Sequence, residues 1–158
     1  MKTVAVAALT NHTEAEDARQ VVTSHLLTRL YGADRISTID ATGQDNGVAP
    51  IDRVDARKLG ATFEADAVLY GHILEYGYVS SPHSSGSSAE RRATPAIGLH
   101  VRLVMTATGE VVWVGSITRT GPSLWSSERI SLEQLAKEAT TDLVAGLIRD
   151  LGVAEPEE

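Results

Sequence analysis

The sequence of 158 residues contains no cysteine, and aromatic residues make up only 4% of it. The absence of cysteine excludes disulfides, thiolate nucleophiles and cysteine-ligated metal sites within this chain. Because aromatic side chains are scarce, a core must be built mainly from Val, Leu, Ile and Ala. No apolar run approaches the ~20 residues of a transmembrane helix. An apolar fraction of 42% and a charged fraction of 22% are typical of one soluble globular domain.

Positive charge is also scarce, because 14 Lys and Arg face 21 Asp and Glu, which gives a formal net charge of −7. A net negative surface is poorly suited to a nucleic-acid backbone or an anionic lipid leaflet. We therefore expect no nucleic-acid partner. No signal peptide is visible, and Met1-Lys2 leads almost directly into a strand-like segment. Such an abrupt start is typical of a chain from which the leader has been removed.

No signature of catalysis or of metal binding occurs in the sequence. None of the five histidines has the spacing of a zinc motif, although His72 and His100 can meet across neighbouring strands. The carboxylates fall in loops and on a short helix, and the serines of 84–88 lack a G-x-S-x-G context. No glycine-rich phosphate loop follows the first strand. We predict that the chain is not an enzyme and holds no cofactor or metal.

The spacing of apolar residues predicts the order β-α-β-α-β-β-β-α. The expected strands are Thr3–Leu9, Arg35–Asp40, Ala67–Tyr78 (bent at Gly71 or Gly77), 97–106 and 110–120. The first expected helix begins at a Thr13–Glu16 capping box and ends at a left-handed Gly32. The second is short, has Pro50 in its first turn, runs to about Leu59 and closes at Gly60. The third begins at a Ser131–Gln134 capping box and ends at Gly152.

This order predicts an α/β fold of one domain. The first strands alternate with helices and should pair in parallel, whereas the last strands should form a meander. The result is a mixed sheet of about five strands with helices packed on it. The domain should cover residues 1–152, with a mobile Ser-rich loop at 80–95 and a disordered acidic tail at 153–158.

The stretch TATGEVVWVG, residues 106–115, predicts a hairpin. Gly109 suits the left-handed position that follows a type I turn. Trp113 then completes an apolar cross-strand ladder as a core residue, and Gly115 makes room beside a large neighbour. The predicted pairs are Met105 with Val111, Leu103 with Trp113, and Val101 with Gly115.

Three landmarks occur along the chain in a fixed order: VAVAAL at 4–9 followed by Asn11-x-Thr13, ADAVLYG at 65–71 continuing into HILEY, and ATGEVVW at 107–113. Together they resemble a periplasmic domain of bacterial envelope proteins. That domain is shared by the curli-secretion lipoproteins of the CsgG type, the peptidoglycan-synthase activator LpoB, the polysaccharide-export lipoprotein PelC and the N-terminal domain of TolB. The resemblance spans nearly the whole chain.

The resemblance implies a non-enzymatic lipoprotein in the periplasm, tethered to the outer membrane. Its lipid would be carried by a cysteine upstream of the domain, and that cysteine is not in this chain. Such proteins act by binding protein partners or by assembling with copies of themselves. The leading hypothesis is therefore an oligomerising component of an export or surface-assembly system. The alternatives are a monomeric regulator that docks onto a cell-wall synthase, and a small-ligand-binding domain or enzyme of unknown reaction.

Six residues are candidates for contact with a partner. Interfaces favour Trp and Arg anchors, and the connector before the last helix carries Leu124 and Trp125. Arg91 and Arg92 form a small basic spot in an acidic protein. Tyr76 and Tyr78 share one face at the end of the third strand. Packing onto the domain and ordinary solvation remain the alternatives for these residues.

Overall fold

The computed structural model of the chain describes residues 1–44, 51–80, 93–121 and 130–152. These residues form three α-helices and six β-strands, together with a short 3₁₀ turn at Thr42–Gln44. The strands are β1 (Thr3–Val6), β2 (Thr10–Asn11), β3 (Ser37–Asp40), β4 (Ala67–Ser80), β5 (Ala93–Met105) and β6 (Val111–Thr120). The helices are α1 (Ala18–Tyr31), α2 (Arg53–Thr62) and α3 (Leu132–Asp150).

The strands form one open mixed sheet in the order β3-β1-β4-β5-β6. β1 pairs in parallel with β3 and β4, while β4, β5 and β6 form an antiparallel meander. These pairings confirm the predicted fold class and the split between parallel and meander regions. The strand β2 was not predicted, and it pairs in parallel with β4 beyond the end of β1.

The helices lie on the two sides of the sheet. α1 and α3 cover one side and enclose the main core. Among its largest fully buried side chains are Leu26, Leu30, Leu69, Ile73, Leu99, Leu103 and Leu147. α2 covers the other side over β1, β4 and the end of β5, where Ala5, Ala7, Ala56, Val68, Tyr70 and Val104 form a second, smaller core. None of the helices in the described ranges is long and apolar enough to cross a bilayer.

The start of α1 differs from the prediction, because Thr13 does not cap the helix. Its hydroxyl donates to Asn11 Oδ1 (2.6 Å), and the Asn11 amide donates to the carbonyl of Ala15 (2.6 Å). This local network holds the chain in a turn, so the helix begins only at Ala18. The predicted left-handed Gly32 is also wrong, since its φ is −78°.

The bounds of α2 also differ from the prediction. The helix begins at a capping box between Asp52 and Asp55, and it continues past Gly60 to Thr62. Gly60 is a packing residue, because a Cβ there would lie 2.2 Å from Thr106 Oγ1. Close approach of α2 to the 106–109 turn therefore explains this glycine.

At α3 the predicted ends are confirmed in part. Ser131 accepts a hydrogen bond from the backbone N–H of Gln134 (3.1 Å), as one half of the predicted capping box requires. Gly152 has a φ of +62°, the left-handed conformation that ends a helix without a Cβ clash.

The hairpin between β5 and β6 follows the prediction near the core and departs from it near the turn. Gly109 has a φ of +71°, and the pairs of Leu103 with Trp113 and of Val101 with Gly115 are present. The predicted pair of Met105 with Val111 is wrong. A shift in register between Leu103 and Val104 brings Val104 opposite Val111 instead.

Strand β4 is long and is irregular at one point. The pairing with β5 shifts between Ile73 and Glu75, so the irregularity is at Leu74 and not at Gly71 or Gly77, where a bend is predicted. Of the predicted 80–95 loop, residues 81–92 lie outside the described residues, and its two ends belong to β4 and β5. The predicted tail at 153–158 lies outside them as well.

Candidate interaction surface

One part of the sheet is left uncovered by the helices that the structure describes. α2 stops short of β6, so β5, β6 and the middle of β4 expose one side to solvent. Along β6 the even-numbered residues from 112 to 120 are exposed, and the odd-numbered ones are wholly or partly buried. We call this surface the open face, and we define it by His72, Leu74, His100, Arg102, Val112, Val114 and Ser116.

Apolar side chains lie at both ends of the open face. Val112 and Val114 are 39% and 52% exposed on β6, and Leu74 is 59% exposed at the irregular point of β4. A single exposed apolar residue is normal on a protein surface. Here, however, the apolar ends flank a polar centre on the same side of one sheet. Exposed apolar side chains grouped with polar ones in this way are typical of protein–protein interfaces.

The centre of the open face is a cluster of imidazoles and one guanidinium. His72 and His100 are directly opposite each other on β4 and β5, as the sequence predicted. His12, from the turn after β2, joins them through a hydrogen bond of 2.8 Å between its Nε2 and His72 Nδ1. The two rings lie 5.0 Å apart between centroids. The pairing of β2 with β4 is what brings His12 to this site.

The hydrogen bonds around His100 define its tautomer. Arg102 Nε donates to His100 Nε2 (3.2 Å), and a guanidinium can only donate. His100 Nε2 must therefore carry a lone pair, so the proton of the neutral ring is on Nδ1. That Nδ1–H donates to the hydroxyl of Ser116 on β6 (2.6 Å). Neighbours on two strands thus fix the orientation of the His100 ring.

The pKa of His72 is lowered from its ordinary value of 6.5. The main cause is burial, which disfavours the charged ring, and the positive charges of His12, His100 and Arg102 add to the effect. Arg102 is therefore the permanent charge of the cluster at neutral pH. Acidification adds further positive charge to the same spot. The nearby carboxylate on this side of β4 belongs to Glu75, which pairs with Gly98.

Three imidazoles in one cluster are potential metal ligands. Within the ranges that the structure describes, no three or more imidazole and carboxylate groups are placed to hold a metal ion. The nitrogens of His12 and His72 instead point at each other within hydrogen-bonding distance. The geometry thus favours a proton between them.

The residues predicted to contact a partner differ in their accessibility. Tyr76 is only 8% exposed and packs in the main core, where burial raises the pKa of its hydroxyl. It therefore offers a partner little surface. Tyr78 is 58% exposed and stays a prediction. The remaining candidates lie outside the described residues and also stay predictions: Arg91, Arg92, Leu124 and Trp125.

A small crevice is a candidate pocket for the alternative function, a ligand-binding domain or enzyme. It has a volume of about 380 Å³ and lies between α1 and the ends of β1 and β3. Among the described residues that line it, the one carboxylate is Asp40, which already accepts hydrogen bonds from the backbone N–H and the hydroxyl of Thr42. The hydroxyl of Thr23 in its wall is buried without a partner among the described residues. The described part of the crevice wall thus has polar groups but no pair of carboxylates for acid–base chemistry.

No protein-family model matches the sequence, and no curated protein sequence is significantly similar to it. Solved structures do match. A PelC dodecamer from Paraburkholderia phytofirmans is 25% identical, with a TM-score of 0.66 over 92% of this chain and 88% of that one. Lipoprotein GNA1162 from Neisseria meningitidis is 19% identical, with a TM-score of 0.61 over 98% of this chain and 100% of that one. The protein CT253 from Chlamydia trachomatis is 14% identical, with a TM-score of 0.65 over 97% and 99% of the two chains.

These likenesses confirm the fold that the three sequence landmarks implied. The chain has the mixed α/β fold of PelC and of lipoprotein GNA1162 along nearly its whole length. At their low identities, the matches to GNA1162 and CT253 concern the fold alone.

Proposed function

We propose that this chain is the single domain of a bacterial envelope lipoprotein that acts by protein–protein contact and assembles with copies of itself. The observation that carries the proposal is the likeness to a PelC dodecamer at 25% identity over 92% of the chain. The domain covers residues 1–152, and the assembly serves export or surface assembly. Fold similarity alone does not define a function, so the proposal also depends on the surface that the structure describes.

The open face supports a role in contact. Leu74, Val112 and Val114 are large apolar side chains that the described helices leave exposed. Their burial on assembly would be favourable at roughly 25 cal/mol per Å² of apolar surface. Such a surface is expected on a protein that works by being bound.

The molar mass in solution tests self-assembly. Light scattering coupled to size exclusion should give a mass that rises with protein concentration and then stays at one multiple of 16.8 kDa, the mass of the closed assembly. Twelve copies would weigh about 202 kDa. A mass of 16.8 kDa at every concentration would contradict self-assembly. A broad distribution of masses would indicate aggregation and would also count against a closed oligomer.

We further propose that the domain lies in the periplasm and is tethered to the outer membrane through a lipid on an upstream cysteine, as the sequence resemblance implies. Labelling of the full gene product with radioactive palmitate tests the lipid, and membrane fractionation tests the location. Labelled protein in the outer-membrane fraction is the expected result. An unlabelled protein in the cytoplasmic fraction would contradict the proposal.

A further inference from the structure

We propose that the open face of one copy docks onto the acidic turn before α1 of a second copy, and that protonation of the histidine cluster strengthens this contact. This inference rests on the proposed self-assembly, in which the two surfaces would form the contact between copies. The acidic turn is defined by Glu14, Glu16 and Asp17, all of which are exposed.

The two surfaces differ and adjoin at one edge, because Glu14 of the acidic turn follows His12 of the cluster by two residues. The open face is on the α2 side of the sheet, whereas the acidic turn leads into α1 on the other side. Asp17 lies near Tyr76 in the core beneath α1 and α3, since its charge adds to burial, the main cause, in raising the pKa of that hydroxyl. A contact between two different surfaces is heterologous and joins copies head to tail. Repetition of such a contact closes into a ring when the rotation allows it.

Charge selects the acidic turn as the occupant of the open face. Each chain has a net charge of −7, so two copies repel each other on average. At physiological ionic strength, only charges within about 8 Å interact strongly. The contact must therefore bring opposite charges together locally. Arg102 supplies a permanent positive charge on the open face, its histidine neighbours add charge on acidification, and the acidic turn supplies three carboxylates.

The apolar ends of the open face supply burial around this charged centre. Val112 and Val114 lie on the β6 side of Arg102, since Val114 is directly opposite Arg102. Leu74 lies toward the other end, beside Gly98. An exposed charged centre alone gives little affinity. Its flanking apolar side chains would exclude water and make the local charge interaction stronger.

Acidification should increase the attraction. His12, His72 and His100 face one another and Arg102, and Glu75 lies on the same side of β4. In the isolated chain, the positive neighbours oppose protonation of His72. Carboxylates of a docked copy would oppose that repulsion, so docking and protonation favour each other. Assembly should therefore be tighter at pH 6.0 than at pH 7.5, and weaker in high salt at both values.

The first test uses the full chain and two substitutions on the open face. Sedimentation velocity at pH 6.0 and 7.5 gives the dissociation constant of wild type, Arg102→Glu and Val114→Asp. We expect each variant to raise this constant about tenfold or more. Lys2→Glu is the matched control, because it makes the same change of charge at the amino end of β1 and should leave the constant unchanged. Circular dichroism confirms that each variant is folded.

The second test exchanges the charges of the two surfaces. A chain with Glu14→Lys, Glu16→Lys and Asp17→Lys should assemble at least as weakly as the Arg102→Glu chain, and both should be dispersed at concentrations where wild type is assembled. An equimolar mixture of these two chains restores opposite charges at every contact, so it should recover the mass of the wild-type oligomer. A mixture that stays dispersed would overturn the assignment of the acidic turn.

Failure of the docking surface and failure of self-assembly give different results. If Arg102→Glu assembles as tightly as wild type at both pH values, the docking surface is wrong while self-assembly stands. If wild-type affinity is the same at pH 6.0 and pH 7.5, protonation plays no part and that half of the inference is wrong. A wild-type chain that remains monomeric in every condition overturns both proposals.

Discussion

Gly115 offers a quantitative test of how the hairpin packs. An added Cβ at this position would lie 2.2 Å from Trp113 Cη2, 2.6 Å from Cζ2 and 2.9 Å from Leu143 Cδ1. The indole cannot easily move away, because it is 8% exposed in the main core and its Nε1 donates to Asp150 Oδ2 (3.2 Å). Gly115→Ala should therefore force a shift of well-packed groups on β6 and α3.

Two effects of opposite sign decide the size of the change. Overpacking a core typically costs about 1–3 kcal/mol. Replacing a glycine also lowers the entropy of the unfolded chain, which stabilises the fold by roughly 0.4–1 kcal/mol. Overpacking should win, and Gly115→Ala should lower the free energy of unfolding. For a domain of this size, each kcal/mol shifts the melting temperature by about 2–4 °C.

Urea and thermal unfolding, followed by circular dichroism, measure this change. Gly77→Ala on β4 is the matched control, because nothing lies within 4 Å of a Cβ there. The control should be neutral or slightly stabilising. In a Trp113→Phe background the benzo ring is gone, so Gly115→Ala should cost about 1 kcal/mol less than in wild type. A Gly115→Ala protein as stable as the Gly77→Ala control would refute the packing described here.

Three further predictions concern the surroundings of the open face and the turn. The folded-state pKa of His72 is lowered, so its contribution to stability is complete above about pH 6.5 and is lost as pH falls through the folded-state pKa. His72→Gln should therefore reduce the loss of unfolding free energy between pH 7.5 and pH 5, as measured by urea unfolding at each pH. Gly71→Ala would place a Cβ 2.2 Å from the carbonyl oxygen of His100, a backbone atom that cannot give way, so we expect a loss of about 3 kcal/mol or more, seen as a low melting temperature. Arg57→Ala removes two hydrogen bonds, of 3.0 and 2.6 Å, to the carbonyls of 106–107, and should cost about 1 kcal/mol in urea unfolding, with an unchanged value counting against this role.

The sequence predicted those parts of the fold that long periodic patterns define. Strict alternation from Ile97 to Met105 and the helical period of α3 both gave the right elements. The short strand β2 has only two residues and therefore no period to detect. The start of α1 was missed because the Asn11 side chain competes for Thr13, a local hydrogen bond that a capping pattern does not reveal.

The histidine cluster of the open face could likewise be predicted from the sequence only in part. The pairing of His72 with His100 follows from the meander, so a sequence can predict it. His12 reaches the cluster only through a parallel pairing with β4, 60 residues away along the chain. The two tyrosines near the end of β4 share one period, yet the helices cover Tyr76 and not Tyr78. How far a helix extends over a sheet is a tertiary property that period alone cannot supply.

The most direct test of self-assembly through the open face is cryo-electron microscopy of the oligomer at pH 6.0 and low salt. The account predicts a closed ring in which Arg102 of each copy lies against the acidic turn of the next, with Val112 and Val114 buried between them. Particles in which the open face points to solvent, or the absence of any ordered assembly, would contradict it.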